Sequence, residues 1–224
     1  MATHNPVSIT ALRTLPIFES LPEDQLAPIA RAASLRSVPR NTVVLHAGDQ
    51  TDSVYLILVG MMKVLISDSQ GREAILTMLG AGDLFGEMGV IDDHPRSATV
   101  MTVEPCELVV IAKSDFKRSL AENFDVALYI MRSLVHRLRT ADRKIESLAL
   151  MDVYGRVARA LLDMAEAENG SMVVKRKVSK QDIAKMIGAS REMVSRVMRD
   201  LQDRHLITEG SGRIVLHSLG SAEG

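Results

Sequence analysis

The sequence predicts a mixed α+β protein with an N-terminal jelly-roll β-barrel, a long helix and a C-terminal winged helix-turn-helix. Three observations predict it. Short apolar, β-branched runs recur between residues 42 and 112. A stretch free of glycine and proline, from Phe124 to Leu150, carries a narrow apolar seam. Beyond it, two short amphipathic helical patterns flank Gly188 and are followed by a hairpin pattern. The hydrophobic period thus changes along the chain from about 2 to about 3.5 and then about 3.6 residues, and each value belongs to a different element.

The 224 residues can bury one large core or two modest ones. With 46% hydrophobic and 25% charged residues, the composition is that of a soluble globular protein. No run approaches the ~20 apolar residues of a membrane helix, and "MATHNPVSIT" lacks the apolar core of a signal peptide. A single cysteine, Cys106, excludes an internal disulfide and a four-thiolate metal site within one chain. The expected compartment is the cytoplasm, with no membrane partner. The expected division is 1–114 for the barrel, 115–150 for the helix region and 151–224 for the third segment.

In "ESLPEDQLAPIARAA", Ser20 and Glu23 have the spacing of a capping box, so a helix is expected there. Then follow "TVVLH", "SVYLILV", "MKVLIS", "AILTML", "SATVMTV" and "ELVVIA", separated by turn signals such as "DSQGRE" and "GAGD". Six or more short strands at this spacing predict a sandwich or barrel. Ser114 is an expected N-cap for the next helical stretch. Within the long helix, Ala127, Met131, Leu134, Leu138, Ala141, Ile145 and Leu148 are spaced alternately by four and three residues. That heptad seam, flanked by Arg137, Arg139, Arg143 and Lys144, predicts a parallel homodimer through Met131, Leu134, Leu138, Ala141, Ile145 and Leu148. A helix lying on its own domain would need a wider stripe.

From Lys175 to Arg199 there are eight basic residues against two acidic ones, a net +6 in a chain whose net charge is −1. Such a run is either a solvated face or a nucleic-acid surface, and its context decides. In "SKQDIAKMIGASREMVSRVMRDLQ", Ser179 can cap a helix whose inner face is Ile183, Ala184 and Ile187. Gly188 permits a tight turn, and Ser190 can cap a second helix with Met193, Val194, Val197 and Leu201 inward. Two helices and a three-residue turn make a helix-turn-helix. Arg191, Glu192, Ser195 and Arg196 then lie where a recognition helix meets base edges. Lys175, Lys177, Lys180 and Arg199 are expected to hold phosphates. The hairpin around Gly210 and Gly212 completes a winged variant. The expected partner is double-stranded DNA.

This order of segments resembles the CRP/FNR family of bacterial transcription regulators. "AGDQTDSVYLILVG" looks like its early barrel glycine signature, and "FGEMG…RSATV" looks like its phosphate-binding cassette. "LALMDVYGRVARALL" looks like the hinge with the first helix of the DNA domain, and "GASREMVSRV" looks like the recognition helix. The resemblance covers nearly the whole chain, from about Pro16 to Ser218. It implies a nucleotide-binding barrel, a dimer through the long helix, and a pseudo-palindromic site with half-sites about 34 Å apart. It also implies RNA polymerase as a further partner. Arg191, Glu192 and Arg196 match the cyclic-AMP-receptor branch, whereas Glu192, Ser195 and Arg196 match the FNR branch. Half-sites with the shared core TGA, in the form GTGA because Arg191 is present, are expected.

Chemically, backbone N–H groups around Gly86, Met88, Ser97 and Ala98, with the Arg96 guanidinium, suit a cyclic phosphate. Glu87 repels phosphate and is suited to accept from a ribose 2′-hydroxyl. The structural alternative is an ion pair of Arg96 with Glu87, Asp92 or Asp93. Where the cyclic-AMP receptor carries a Thr-Ser pair on the long helix, this chain has Ala141-Asp142. The loop between Glu87 and Arg96 is also one residue shorter. Asp142, an acceptor with Arg139 nearby, leaves cyclic AMP, cyclic GMP and cyclic di-GMP all open as ligands. Its alternative role is a salt bridge to Arg139 or to a basic residue of a partner chain.

Other classes fit less well. A cupin enzyme needs clustered histidines, and the barrel holds only His46 and His94. A haem would rest on a lone His136 or His46, and an oxygen-sensing cluster would need N-terminal cysteines. Cys106 is expected to be a packed small hydrophobe. No metal, and no enzyme activity, is expected. A ligand-independent regulator and a sensor acting on a protein partner are the remaining alternatives.

Overall fold

The computed structural model describes residues 7–175, 178–210 and 212–217. The chain divides into two compact units, Met1–Arg137 and Leu138–Gly224. The boundary between the units falls within the long helix, Phe124–Leu150.

The first unit opens with α1 (Ile9–Arg13) and α2 (Glu23–Ala32). The helix expected after Ser20 is present, but it is preceded by Pro22 in extended conformation and has no side-chain cap. Pro22 displaces the start because its fixed φ suits the helix entrance. Eight strands follow: β1 (Ser34–Val38), β2 (Val43–Leu45), β3 (Ser53–Val59), β4 (Met62–Ser67), β5 (Glu73–Leu79), β6 (Leu84–Phe85), β7 (Thr99–Thr102) and β8 (Cys106–Ala112). They form two antiparallel sheets, β1-β8-β3-β6 and β2-β7-β4-β5, the order of a jelly roll. β1 and β6 had no clear sequence signal. β1 alternates few apolar residues, and β6 holds only two.

Two cores result. One joins α1 and α2 to the β1-β8-β3-β6 sheet through Phe18, Leu26, Leu56, Val109 and Phe116. The other fills the space between the sheets with Tyr55, Ile57, Met62, Phe85, Val100 and Leu108. Cys106 belongs to the second, and burial pushes its thiol above the ordinary value.

Between β6 and β7 lies the four-residue α3 (Met88–Ile91). After β8 come α4 (Lys113–Glu122) and α5 (Phe124–Leu150). Ser114 sits inside α4, not at its cap, because the extended residue at the entrance is Ala112.

On α5, Met131, Leu138, Ile145 and Leu148 are 48%, 61%, 65% and 54% exposed, and Ala141 is also exposed. Val135, outside the expected seam, is exposed as well. Leu134 is the exception: it is half-buried and packs against the first unit's own core.

The second unit contains α6 (Val153–Met164), β9 (Glu166–Glu168), β10 (Ser171–Val174), α7 (Lys180–Ile187), α8 (Arg191–Asp203), β11 (Ile207–Gly210) and β12 (Arg213–Leu216). After α6, "EAE" forms strand β9, paired with β10. The sheet order is β11-β12-β10-β9, so the closing hairpin is the expected wing, with further strands beside it. Val157, Leu161, Ile183, Ile187, Val194, Met198 and Leu201 make its core.

Candidate functional site

The corner between β6 and β7 carries six of the residues expected to bind a ligand. Gly86 has φ +79°, and a Cβ there would lie 2.6 Å from Arg96 Nη1. Glycine is therefore what allows the backbone to close over that guanidinium. Arg96 is only 5% exposed. Its Nη1 donates to Gly86 O at 2.7 Å, and its Nη2 donates to Ser53 O at 2.8 Å and to Asp52 Oδ1 at 3.3 Å. Its guanidinium carbon is 5.9 Å from the centre of the Tyr55 ring, which stacks on Phe85.

Glu87 is more deeply buried, at 2% exposed. Its Oε1 accepts from Arg137 Nη1 at 2.8 Å, and Arg137 also donates to Leu84 O. The ion pair expected as an alternative, Glu87 with Arg96, is not the one formed. Asp92 and Asp93 do not take Arg96 either. Asp92 accepts from the His94 backbone N–H, and Asp93 pairs with two lysines. Arg137 takes Glu87, while the Arg96 guanidinium is held by the carbonyl oxygens of Gly86 and Ser53.

Burial pushes the Glu87 carboxyl above its ordinary value, and the charge of Arg137, then that of Arg96, opposes this. Two buried side-chain atoms here have no partner, Glu87 Oε2 and Arg96 Nε. An unmet buried acceptor costs about 1–3 kcal/mol, so a corner with a free carboxylate oxygen beside a buried guanidinium is matched to a ligand carrying a hydroxyl and an anionic group. Met88 and Ser97 are exposed, with the Ser97 hydroxyl 3.8 Å from Met88 Sδ, whereas Ala98 is buried. Arg139 and Asp142 belong to the second unit. Both are exposed, and no ion pair joins them among the described residues.

Arg137 was legible in the sequence only as one of several arginines beside the heptad seam. Nothing in that pattern distinguishes it from Arg139 or Arg143. Its role depends on α5 passing β6, which only the tertiary fold arranges.

The second unit builds the other site. Ser179 Oγ accepts from Asp182 N at 3.0 Å, and Ser190 Oγ accepts from Met193 N at 3.1 Å, so both expected caps are in place. Between them Gly188 sits at φ +63° and ends α7. On α8, Val194 and Leu201 face inward as expected, Val197 is half-buried, and Met193 is 44% exposed. Met198 takes the inner place instead, because 194, 198 and 201 follow the helical repeat on one side.

The opposite side presents Arg191, Glu192, Ser195, Arg196 and Arg199 around one shallow concavity. Lys180 lies 3.7 Å from Glu209 in the wing. Lys175 is tied to Glu166 and Glu168, which raise its value. Lys177 lies outside the described residues.

Comparison with known proteins identifies both domains. Residues 35–123 match the cyclic nucleotide-binding domain, and residues 155–220 match the Crp-like helix-turn-helix domain. The chain is 34% identical over 187 residues to the cAMP-activated global transcriptional regulator CRP of Pasteurella multocida, covering 82% of this chain and 90% of that one. The chain belongs to the CRP family of transcription regulators.

Another relative, the cAMP-activated global transcriptional regulator Vfr of Pseudomonas aeruginosa, is 32% identical over 77% of this chain and 84% of its own. Among solved structures, the c-di-GMP-responsive global regulator CLP of Xanthomonas campestris superposes with a TM-score of 0.75 at 28% identity, covering 88% of this chain and all of that one. As a CRP-family regulator the chain pairs a cyclic nucleotide-binding domain with a DNA-binding domain. Among the described residues no helix is long and apolar enough to cross a membrane, and no group of His, Cys, Asp or Glu could hold a metal ion.

Proposed function

We propose that this regulator acts in the cytoplasm as a homodimer, with a cyclic nucleotide bound at the β6–β7 corner controlling how its helix-turn-helix pair engages DNA. The observation that carries the ligand assignment is Glu87: a buried carboxylate with one oxygen on Arg137 and the other without a partner. A ribose 2′-hydroxyl supplies the missing donor. The cyclic phosphate approaches Arg96, whose Nε has no hydrogen-bond partner among the described residues. Gly86, Met88, Ser97 and Ala98 shape the loop around it.

Base identity falls to Asp142 and Arg139. A carboxylate at position 142 accepts from the N6 amino group of adenine, and it pairs more fully with the N1–H and N2–H of guanine. Relatives respond to either chemistry, two being cAMP-activated and one c-di-GMP-responsive. The exposed line of Met131, Leu138, Ala141, Ile145 and Leu148 supports the dimer, since a heptad seam left open to water gains by pairing with a second copy.

Arg191, Glu192, Ser195 and Arg196 read bases in GTGA-like half-sites of a pseudo-palindrome, while Ser190, Lys180 and Arg199 set register on the phosphates. RNA polymerase is the further partner this reading implies. Isothermal titration against cyclic AMP, cyclic GMP and cyclic di-GMP tests it. One of the three binding below about 100 μM is the expected result, and no binding by any of them refutes ligand control and leaves a ligand-independent regulator.

A further inference from the structure

The loop from Gly86 to Arg96 has little structure of its own. It contains one four-residue helix, and residues 91–95 are exposed. Its end is tied to the turn after β2, where Arg96 N donates to Asp49 O at 2.9 Å and Gly48 N donates to Arg96 O at 2.8 Å. Thr51 Oγ1 donates to His94 O at 2.9 Å. The tip is held differently. Asp93, at φ +59°, places its carboxylate 2.7 Å from Lys113 Nζ and 2.8 Å from Lys117 Nζ, one turn apart on α4. The same Lys113 donates its backbone N–H to Asp52 O at 2.8 Å, and Asp52 in turn accepts from Arg96. These contacts close a ring: Asp93, Lys113, Asp52, Arg96 and back through the loop to Asp93.

We propose that Asp93, Lys113 and Lys117 are positioning residues, a clamp that holds the ligand loop and Arg96 in binding geometry against α4. It rests on the assignment of that loop to a cyclic nucleotide. The lysines hold the Asp93 carboxyl down to about 2, so the clamp is ionised throughout the physiological range. Its side chains are 60%, 31% and 41% exposed, and solvent-exposed ion pairs contribute little to global stability. What the clamp gives is order in a loop with few other anchors. That separates it from a merely structural contact, because ligand affinity changes while the melting temperature does not.

Asp93→Asn is the informative variant. Asparagine tolerates the left-handed backbone as aspartate does, so the charge is removed with the turn retained. In calorimetric titrations with cyclic AMP, cyclic GMP and cyclic di-GMP at low salt, Asp93→Asn should weaken whichever nucleotide the parent binds by about two- to fivefold. Lys113→Met with Lys117→Met should give the same loss, and the triple variant no further loss. Amide exchange without nucleotide supplies an independent readout: the N–H groups of Val90, Ile91 and Asp92, bonded to Glu87 O and Met88 O, should exchange faster in Asp93→Asn. Unchanged exchange or unchanged affinity in that variant overturns the clamp. A parent that binds none of the three, with exchange still faster in the variant, overturns instead the assignment of the loop to these nucleotides.

Discussion

Replacing Glu87 by Gln removes one charge from the most buried polar position of the site and leaves its volume almost unchanged. The carboxylate has one oxygen on Arg137 and one free. A ligand hydroxyl donating to the free oxygen makes a hydrogen bond to a charged group, which contributes about 1.5–3 kcal/mol. Its loss corresponds to roughly ten- to 150-fold in affinity. Folding should not suffer in parallel. Arg137 keeps its bond to Leu84 O and has a side chain 33% exposed, so water can solvate it.

Burial raises the Glu87 carboxyl above 4.5, so its ionised form destabilises the fold at neutral pH, and this cost is relieved as pH falls through the raised value. Glu87→Gln should therefore be at least as stable as the parent at pH 7, with the difference shrinking on acidification. Nucleotide affinity in the parent should run the opposite way. It should decline as pH falls through that raised value, since the neutral acid is the poorer acceptor. Calorimetric titration of both proteins from neutral to mildly acid pH, with thermal melts alongside, measures each quantity. If Glu87→Gln binds within twofold of the parent at pH 7, Glu87 is not the hydroxyl acceptor and the site has been misassigned.

Gly86→Ala should abolish nucleotide binding by calorimetry, because a Cβ 2.6 Å from Arg96 Nη1 adds to the strain of φ +79°. Gly188→Ala should lower the stability of the second unit by about 1–2 kcal/mol in thermal melts. Its φ of +63° disfavours a side chain, whereas the nearest atom, Leu148 Cδ2 at 3.6 Å, is an ordinary contact. Arg196→Ala should weaken binding to a GTGA half-site by about 1–3 kcal/mol and relax preference at one base pair in a fluorescence-anisotropy series. Leu138→Glu with Ile145→Glu should shift sedimentation from dimer to monomer, since both side chains are more than half exposed in the single chain. The melting temperature of the barrel should hold.

The helix-turn-helix was legible in its two caps, its turn and most of its inner face. Its signals are local: a hydroxyl three residues before an N–H, a glycine where the backbone turns left-handed, an apolar face on one helical repeat. The barrel was legible as a class, but two strands escaped. β1 begins "SLRSV" with little alternation, and β6 is two residues long. Both exist because β8 and β3 offer them edges to pair with. The inward face of α8 differs from the expectation at one residue, Met198 taking the place given to Met193. The two lie five residues apart, on different sides of the helix, and only Met198 shares the buried side of Val194 and Leu201.

The ligand corner divides in the same way. Sequence alone grouped Gly86, Glu87, Arg96 and Ser97 as residues expected to hold one ligand, through the resemblance of "FGEMG…RSATV" to a phosphate-binding cassette. It also determined the open seam on the long helix. Only the tertiary structure decided which cation meets Glu87, that Arg96 is spent on carbonyl oxygens, and that Asp93 reaches across to α4. Those partners lie from 10 to 50 residues apart in the chain, and contacts between such positions follow from how helices, sheets and loops pack, which no local pattern encodes.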